Sequence, residues 1–193
     1  SGGGIFIAGG TFLANNGTIS GNDAGGGGGI NNLGGTVDLN NTTVTQNKVS
    51  QMSGGGIRNE TDGIVTLRNS IVAGNSGSGP DCDGIIESSG FNIIGNTNEC
   101  TFDQGIGDLI NSDPKLNFLH DNGGFTLTHA LNQGSPAIDS GNPAIPGSAV
   151  GACTTTDQRG AKRPLDGDAS GGSRCDMGSY ELDPTLSDAP TLD

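Results

Sequence analysis

GGGIFIAGGTFLANNGTISGN, Gly2 to Asn22, is followed by GGGINNLGGTVDLNNTTVTQN, Gly27 to Asn47, and by GGGIRNETDGIVTLRNSIVAGN, Gly54 to Asn75. The three stretches are one pattern repeated at spacings of 25 and 27 residues. Phe12, Val37 and Val65 share a register, as do Ala14, Leu39 and Leu67, and Ile19, Val44 and Val72. Asparagine recurs at Asn16, Asn41 and Asn69, and again at Asn22, Asn47 and Asn75. A fourth, degenerate copy, GFNIIGN, puts Gly90 in the first asparagine register, Ile93 in the valine register and Asn96 in the last.

Inside each copy the apolar residues alternate over short runs such as TVDL, TVT and IVTL, with Gly, Asn and Ser between them. Alternation with period two marks strands, and no stretch carries the 3.6-residue period of a helix. Short strands in register from copy to copy describe an all-β parallel β-helix, in which each coil stacks on the last at about 4.8 Å. Residues 1–100 are expected to form about four such coils, with a rise of roughly 20 Å.

Stacked asparagines suit the corners of such coils. Asparagine tolerates left-handed backbone angles, and its amide can bond the asparagine of the next coil, so Asn16, Asn41 and Asn69 and Asn22, Asn47 and Asn75 are expected to form structural ladders. The glycine triplets are expected to turn the backbone and to admit close coil contact. A phosphate-cradling role would need a following helix and a lysine.

The 37 glycines occur without a collagen period. With 21 acidic and 8 basic residues, a net charge of −13 makes nucleic acid and anionic membrane poor partners and divalent cations better ones. No run reaches the roughly 20 apolar residues of a transmembrane helix, so no membrane insertion is expected. Cys82, Cys100, Cys153 and Cys175 show no zinc-binding spacing and are expected to form two disulfides. Three pairings are open; local closure favours Cys82 with Cys100 and Cys153 with Cys175, in an oxidising compartment.

From about Thr101 the repeat fades. Residues 101–183 are expected to be a C-terminal capping segment with closing coils, and 184–193 a flexible tail. DPKLNFLHDNGGFTLTHALNQGSPAIDSG (Asp113 to Gly141), DQRGAKRP (Asp157 to Pro164) and CDMGSYE (Cys175 to Glu181) resemble the choice-of-anchor Q domain of bacterial surface proteins. The departures are Phe125, where that pattern often has Pro, and Ser140, where it often has Ala. The resemblance implies the closing coils of a right-handed β-helix of the pectate-lyase type, exposed at a bacterial cell surface.

Several clusters carry candidate chemistry. DGDASGGSRCD, Asp166 to Asp176, is similar to an Asp-rich calcium loop, with Asp166, Asp168, Ser170 and Asp176 as oxygen donors. Arg58 has Glu60 and Asp62 nearby, and Asp81 and Asp83 a coil later, which reads as a surface ion-pair patch. Asp81 and Asp83 flank Cys82 and read as solvated turn acids more than as a hydrolytic pair. His129, in THAL, is expected to bond within the cap. Thr18, Ser20, Thr43 and Thr45 form a short outward hydroxyl array that fails at Ile71 and Ala73 in the third copy.

No catalytic residue is assigned. The expected function is a non-catalytic, extracellular structural or adhesive β-helix, either part of a cell-surface stalk or a self-assembling fibre subunit. The first repeat is expected to offer its stacking edge to further chain or to another molecule, so self-association through coil ends is the expected partnership. The alternative is a polysaccharide-binding or lyase-type β-helix.

Overall fold

The computed structural model describes residues 3–60 and 62–185. Most of the expected tail, residues 186–193, lies outside the described residues. Among the described residues every regular element is a strand, and no helix is long and apolar enough to cross a membrane.

The strands stack as a parallel β-solenoid of about four turns. Sheet I contains β1 (Ile5–Ile7), β5 (Ile30–Asn32), β9 (Ile57–Asn59) and the start of β13 (Cys82–Ser88). Sheet II contains β2 (Thr11–Asn15), β6 (Thr36–Asn40), β10 (Ile64–Arg68), the rest of β13 and β15 (Cys100–Asp103). Sheet III is β3 (Thr18–Ser20), β7 (Thr43–Thr45), β11 (Ile71–Val72), β14 (Ile93–Ile94) and β16 (Leu109–Ile110). Sheet IV is β4 (Asp23–Ala24), β8 (Lys48–Ser53) and β12 (Ser76–Ser78).

Parallel pairing continues past residue 100, where the repeat motif has faded, because β15 and β16 still add to β13 and β14. The fourth copy sits one residue away from its expected register. Ile94 pairs with Val72, while Ile93 opposes Ile71. Adjacent isoleucines fit either register in sequence; the fold puts Ile94 in the solenoid core and Ile93 in the outer apolar cluster.

Ile30, Val37, Leu39, Val44, Ile57, Val65 and Leu67 fill the interior and are wholly enclosed. The glycine triplets divide their labour. Gly27 and Gly54 take positive φ at the corner, whereas a Cβ on Gly29 or Gly56 would lie 2.6 or 2.5 Å from a carbonyl oxygen of the next coil.

The segment after β16 packs along the side of the solenoid. After β16 the chain forms an antiparallel hairpin, β17 (Leu116–His120) and β18 (Thr128–Leu131), and irregular loops that lie across the outer face of sheet III. Ile71, Ala73 and Ile93 there pack against Ala130, Leu131, Ala137, Ile138, Met177 and Tyr180. Residues 113–183 thus brace one flank of the solenoid. Both disulfides form as local closure predicts, Cys82–Cys100 within the solenoid and Cys153–Cys175 within the flank. All four cysteines are therefore oxidised, which indicates an oxidising environment.

Candidate functional site

The two asparagine registers do different things. Asn22 Nδ2 donates to Asn47 Oδ1 at 2.8 Å, Asn47 Nδ2 to Asn75 Oδ1 at 2.9 Å, and Asn75 Nδ2 to Asp81 Oδ1 at 2.9 Å. The backbone N–H of each asparagine donates to the same oxygen. This ladder is as expected, but its terminus is new. Asp81 is buried at the end of the amide column, not a solvated turn acid, and desolvation pushes its carboxyl above the ordinary range. A second ladder, Ser70 to Asn92 to Asp108, also ends in an aspartate, and Asn32 bonds Asn59 in a third.

Asn16, Asn41 and Asn69 have positive φ, as the corner reading requires, yet their side chains do not bond one another. They reach to the flank. Asn16 Nδ2 donates to the Thr156 carbonyl, Asn41 Oδ1 accepts from Thr154 N–H, and Asn69 Oδ1 accepts from Asn142 N–H. The ladder expected there is replaced by a row of brackets, because the flank supplies backbone partners at each coil.

The hydroxyl array meets the same partner. Thr18 Oγ1 donates to Gln158 Oε1, Thr43 Oγ1 accepts from Ser179 N–H, and Ser20 lies 2.8 Å from His129 Nε2. His129 Nδ1 is 2.7 Å from the Asn117 carbonyl, which only accepts, so Nδ1 carries the proton and Nε2 accepts from Ser20. His129 is wholly enclosed, and desolvation lowers its pKa. It bonds within the flank, as expected, and also ties it to the first coil.

A buried ionic group holds the flank together. Arg163 donates to Glu181 at 2.7 Å and to the carbonyls of Asp176 and Gly178. Arg159 pairs with Asp157 at 2.7 Å and lies over the Tyr180 ring. Asp176, assigned above to the calcium loop, is wholly buried; its oxygens accept from the N–H groups of Asp139 and Leu182. Burial pushes the Asp176 and Glu181 carboxyls up.

Asp166 and Asp168 do converge with a third carboxylate, that of Asp139, their oxygens lying within 4.8 Å of one another. Sequence reading missed Asp139, which precedes the loop by 27 residues. Burial first, then the charges of Asp168 and Asp166, raise the Asp139 carboxyl. Ser170 contributes its N–H to Asp166 and Asp168.

On sheet I, Arg58 pairs with Glu60 and with Asp83, at 3.2 Å for the latter, and Ser53 donates to Asp83. On sheet II, Arg68 pairs with Asp38 at 2.5 Å. The charged patch foreseen around Arg58 thus forms, with Asp81 withdrawn into the ladder.

No family model, curated protein or solved structure matches this chain. The functional reading therefore rests on the residues and their arrangement.

Proposed function

We propose that the chain is a section of a non-catalytic, extracellular structural or adhesive β-helix, part of a bacterial cell-surface stalk or fibre. The observation that carries this reading is the bracing: one C-terminal segment crosses the coils from Asn16 to Asn69 and bonds each in turn. Such a brace resists separation of coils along the axis, the direction in which a stalk is pulled. The pairing of Arg58 and Arg68 with carboxylates supports it, since a lyase needs a free basic group above its substrate. The motif resemblance to choice-of-anchor Q domains supports a surface location.

A secondary reading within the same function is a stabilising calcium ion on the flank, favoured by the convergence of Asp139, Asp166 and Asp168.

The test is incubation with a panel of acidic and neutral polysaccharides, with and without calcium, following new reducing ends and unsaturated products. The expected result is no cleavage. Cleavage that depends on Arg58 would replace the structural reading with a lyase.

A further inference from the structure

A cleft opens where the chain leaves the coils for the flank. Asn75 lines it from the third turn, Asn96 from the fourth, and residues 111–114 from the stretch directly after β16, with Pro80 and Asp81 closing the remaining side. All of its walls come from residues 73–114, so it is formed wholly inside the coils. Its volume is about 400 Å³, within the roughly 300–1,000 Å³ of small-ligand sites.

Two aspartates line this cleft, and no lysine, arginine or histidine does. Asp81 is 2% exposed, and its Oδ1 accepts from the backbone and side-chain N–H groups of Asn75. Burial raises its carboxyl, hydrogen bonds from Asn75 and Asn96 draw it back, and no positive charge acts on it. It is a buried carboxylate without a counter-cation, a costly state that a cation bound beside it offsets. A Cβ on Gly95 would come within 2.7 Å of its Oδ2 and shut that oxygen from the cleft. Asp113 adds a second, exposed carboxylate, whose Oδ1 accepts from the Lys115 N–H. The ammonium of Lys115 is turned away, to the Gly134 carbonyl.

Donors stand across from these acids. Asn96 Oδ1 accepts from the Asn98 N–H, and Asn111 Oδ1 accepts from the N–H and hydroxyl of Thr97. Both amides are therefore oriented, and their Nδ2 groups, with the Ser112 hydroxyl, have no partner among the described residues. The cleft thus offers acceptors that carry negative charge, amide donors, and apolar surface from Ala73 and the proline rings. A bare metal ion would fill little of this volume and leave the amide donors unmet. A neutral sugar would meet the donors and leave the Asp81 charge uncompensated.

We infer that the cleft binds an amino sugar unit, its ammonium directed at Asp81 and Asp113 and its hydroxyls at Asn96, Asn111 and Ser112. The inference gives the adhesive side of the function proposed above a ligand class, and it rests on that reading.

Its test is isothermal titration calorimetry with glucosamine at about 0.15 M salt, where attraction to the net charge of −13 is largely screened. N-Acetylglucosamine, which lacks the charge, and methylammonium, which lacks the hydroxyls, are the comparators. Glucosamine is expected to bind one to one, and each comparator at least about tenfold more weakly. Asp81→Asn and Asp113→Asn are each expected to weaken glucosamine by about tenfold or more, with circular dichroism unchanged. Asp81→Asn keeps the shape and the acceptor that Asn75 uses; should it fail to fold, the exposed Asp113→Asn carries the test. Absence of glucosamine binding, a comparator bound as tightly as glucosamine, or binding that survives the substitutions overturns the inference. Failure to bind with polysaccharides left intact removes the ligand alone; cleavage of polysaccharides removes the non-catalytic reading as well.

Discussion

Asn47 shows how much a single side chain does in this fold. Its amide donates to Asn75 and to the carbonyls of Ile19 and Thr45, and its oxygen accepts two bonds from Asn22. Asn47→Ala leaves these buried partners unmet, so a loss of about 2 to 3 kcal/mol is expected, read from the urea midpoint. His129 contributes a pH dependence. Its pKa is lowered in the folded chain, so below its ordinary value near 6.5 the unfolded chain binds the extra proton first. The stability it provides is complete above that value and is lost as the pH falls through the window beneath it. Replacing His129 with Gln, which cannot titrate, is expected to flatten thermal midpoints between neutral pH and pH about 5. The ladder residues Asn22, Asn47 and Asn75 were legible because their partners recur one repeat away. The partners of Asn16, Asn41 and Asn69 lie at Thr156, Thr154 and Asn142, in a segment with no matching period, so only their backbone role could be read.

At the scale of elements, the glycine corners set the spacing of the coils. A Cβ on Gly56 would approach both the Asp81 carbonyl and the Asn75 amide, at 2.5 and 2.7 Å. Gly56→Ala is expected to cost about 1 to 3 kcal/mol, while Gly9→Ala, with open space around it, should fall within about 0.5 kcal/mol of the parent; denaturant unfolding separates the two. The 166–171 loop offers a second test. If Asp139, Asp166 and Asp168 hold calcium, added ion should raise the thermal midpoint at concentrations on the order of 10⁻⁴–10⁻³ M, and Asp139→Asn should abolish the rise. An unchanged midpoint across that range would discard the calcium reading. The loop's own acids were readable from their alternation, but Asp139 is brought in by the flank's path, and Asp176 is drawn away into the group around Arg163 and Glu181.

For the whole molecule, the sequence announced a solenoid because a coil stacks on neighbours that obey the same pattern, and periodicity survives in the text. The bracing flank left no such trace. Its contacts join residues more than 70 positions apart, and its apolar side chains, from Ala130 to Tyr180, follow no period that names their target. The third repeat held one sign of it: Ile71 and Ala73 stand where hydroxyls stood before, because the flank is apolar over that coil and polar over the first two.

Open repeat proteins commonly gain and lose units by duplication, since each new unit meets only copies of itself. Here the flank acts as a measuring rod. Thr156, Thr154 and Asn142 meet Asn16, Asn41 and Asn69 in fixed order, so one inserted coil would carry part of that row about 4.8 Å out of reach. Repeat number in this part of the chain is therefore held constant by a segment that contains no repeats, and any lengthening must come from beyond the braced coils.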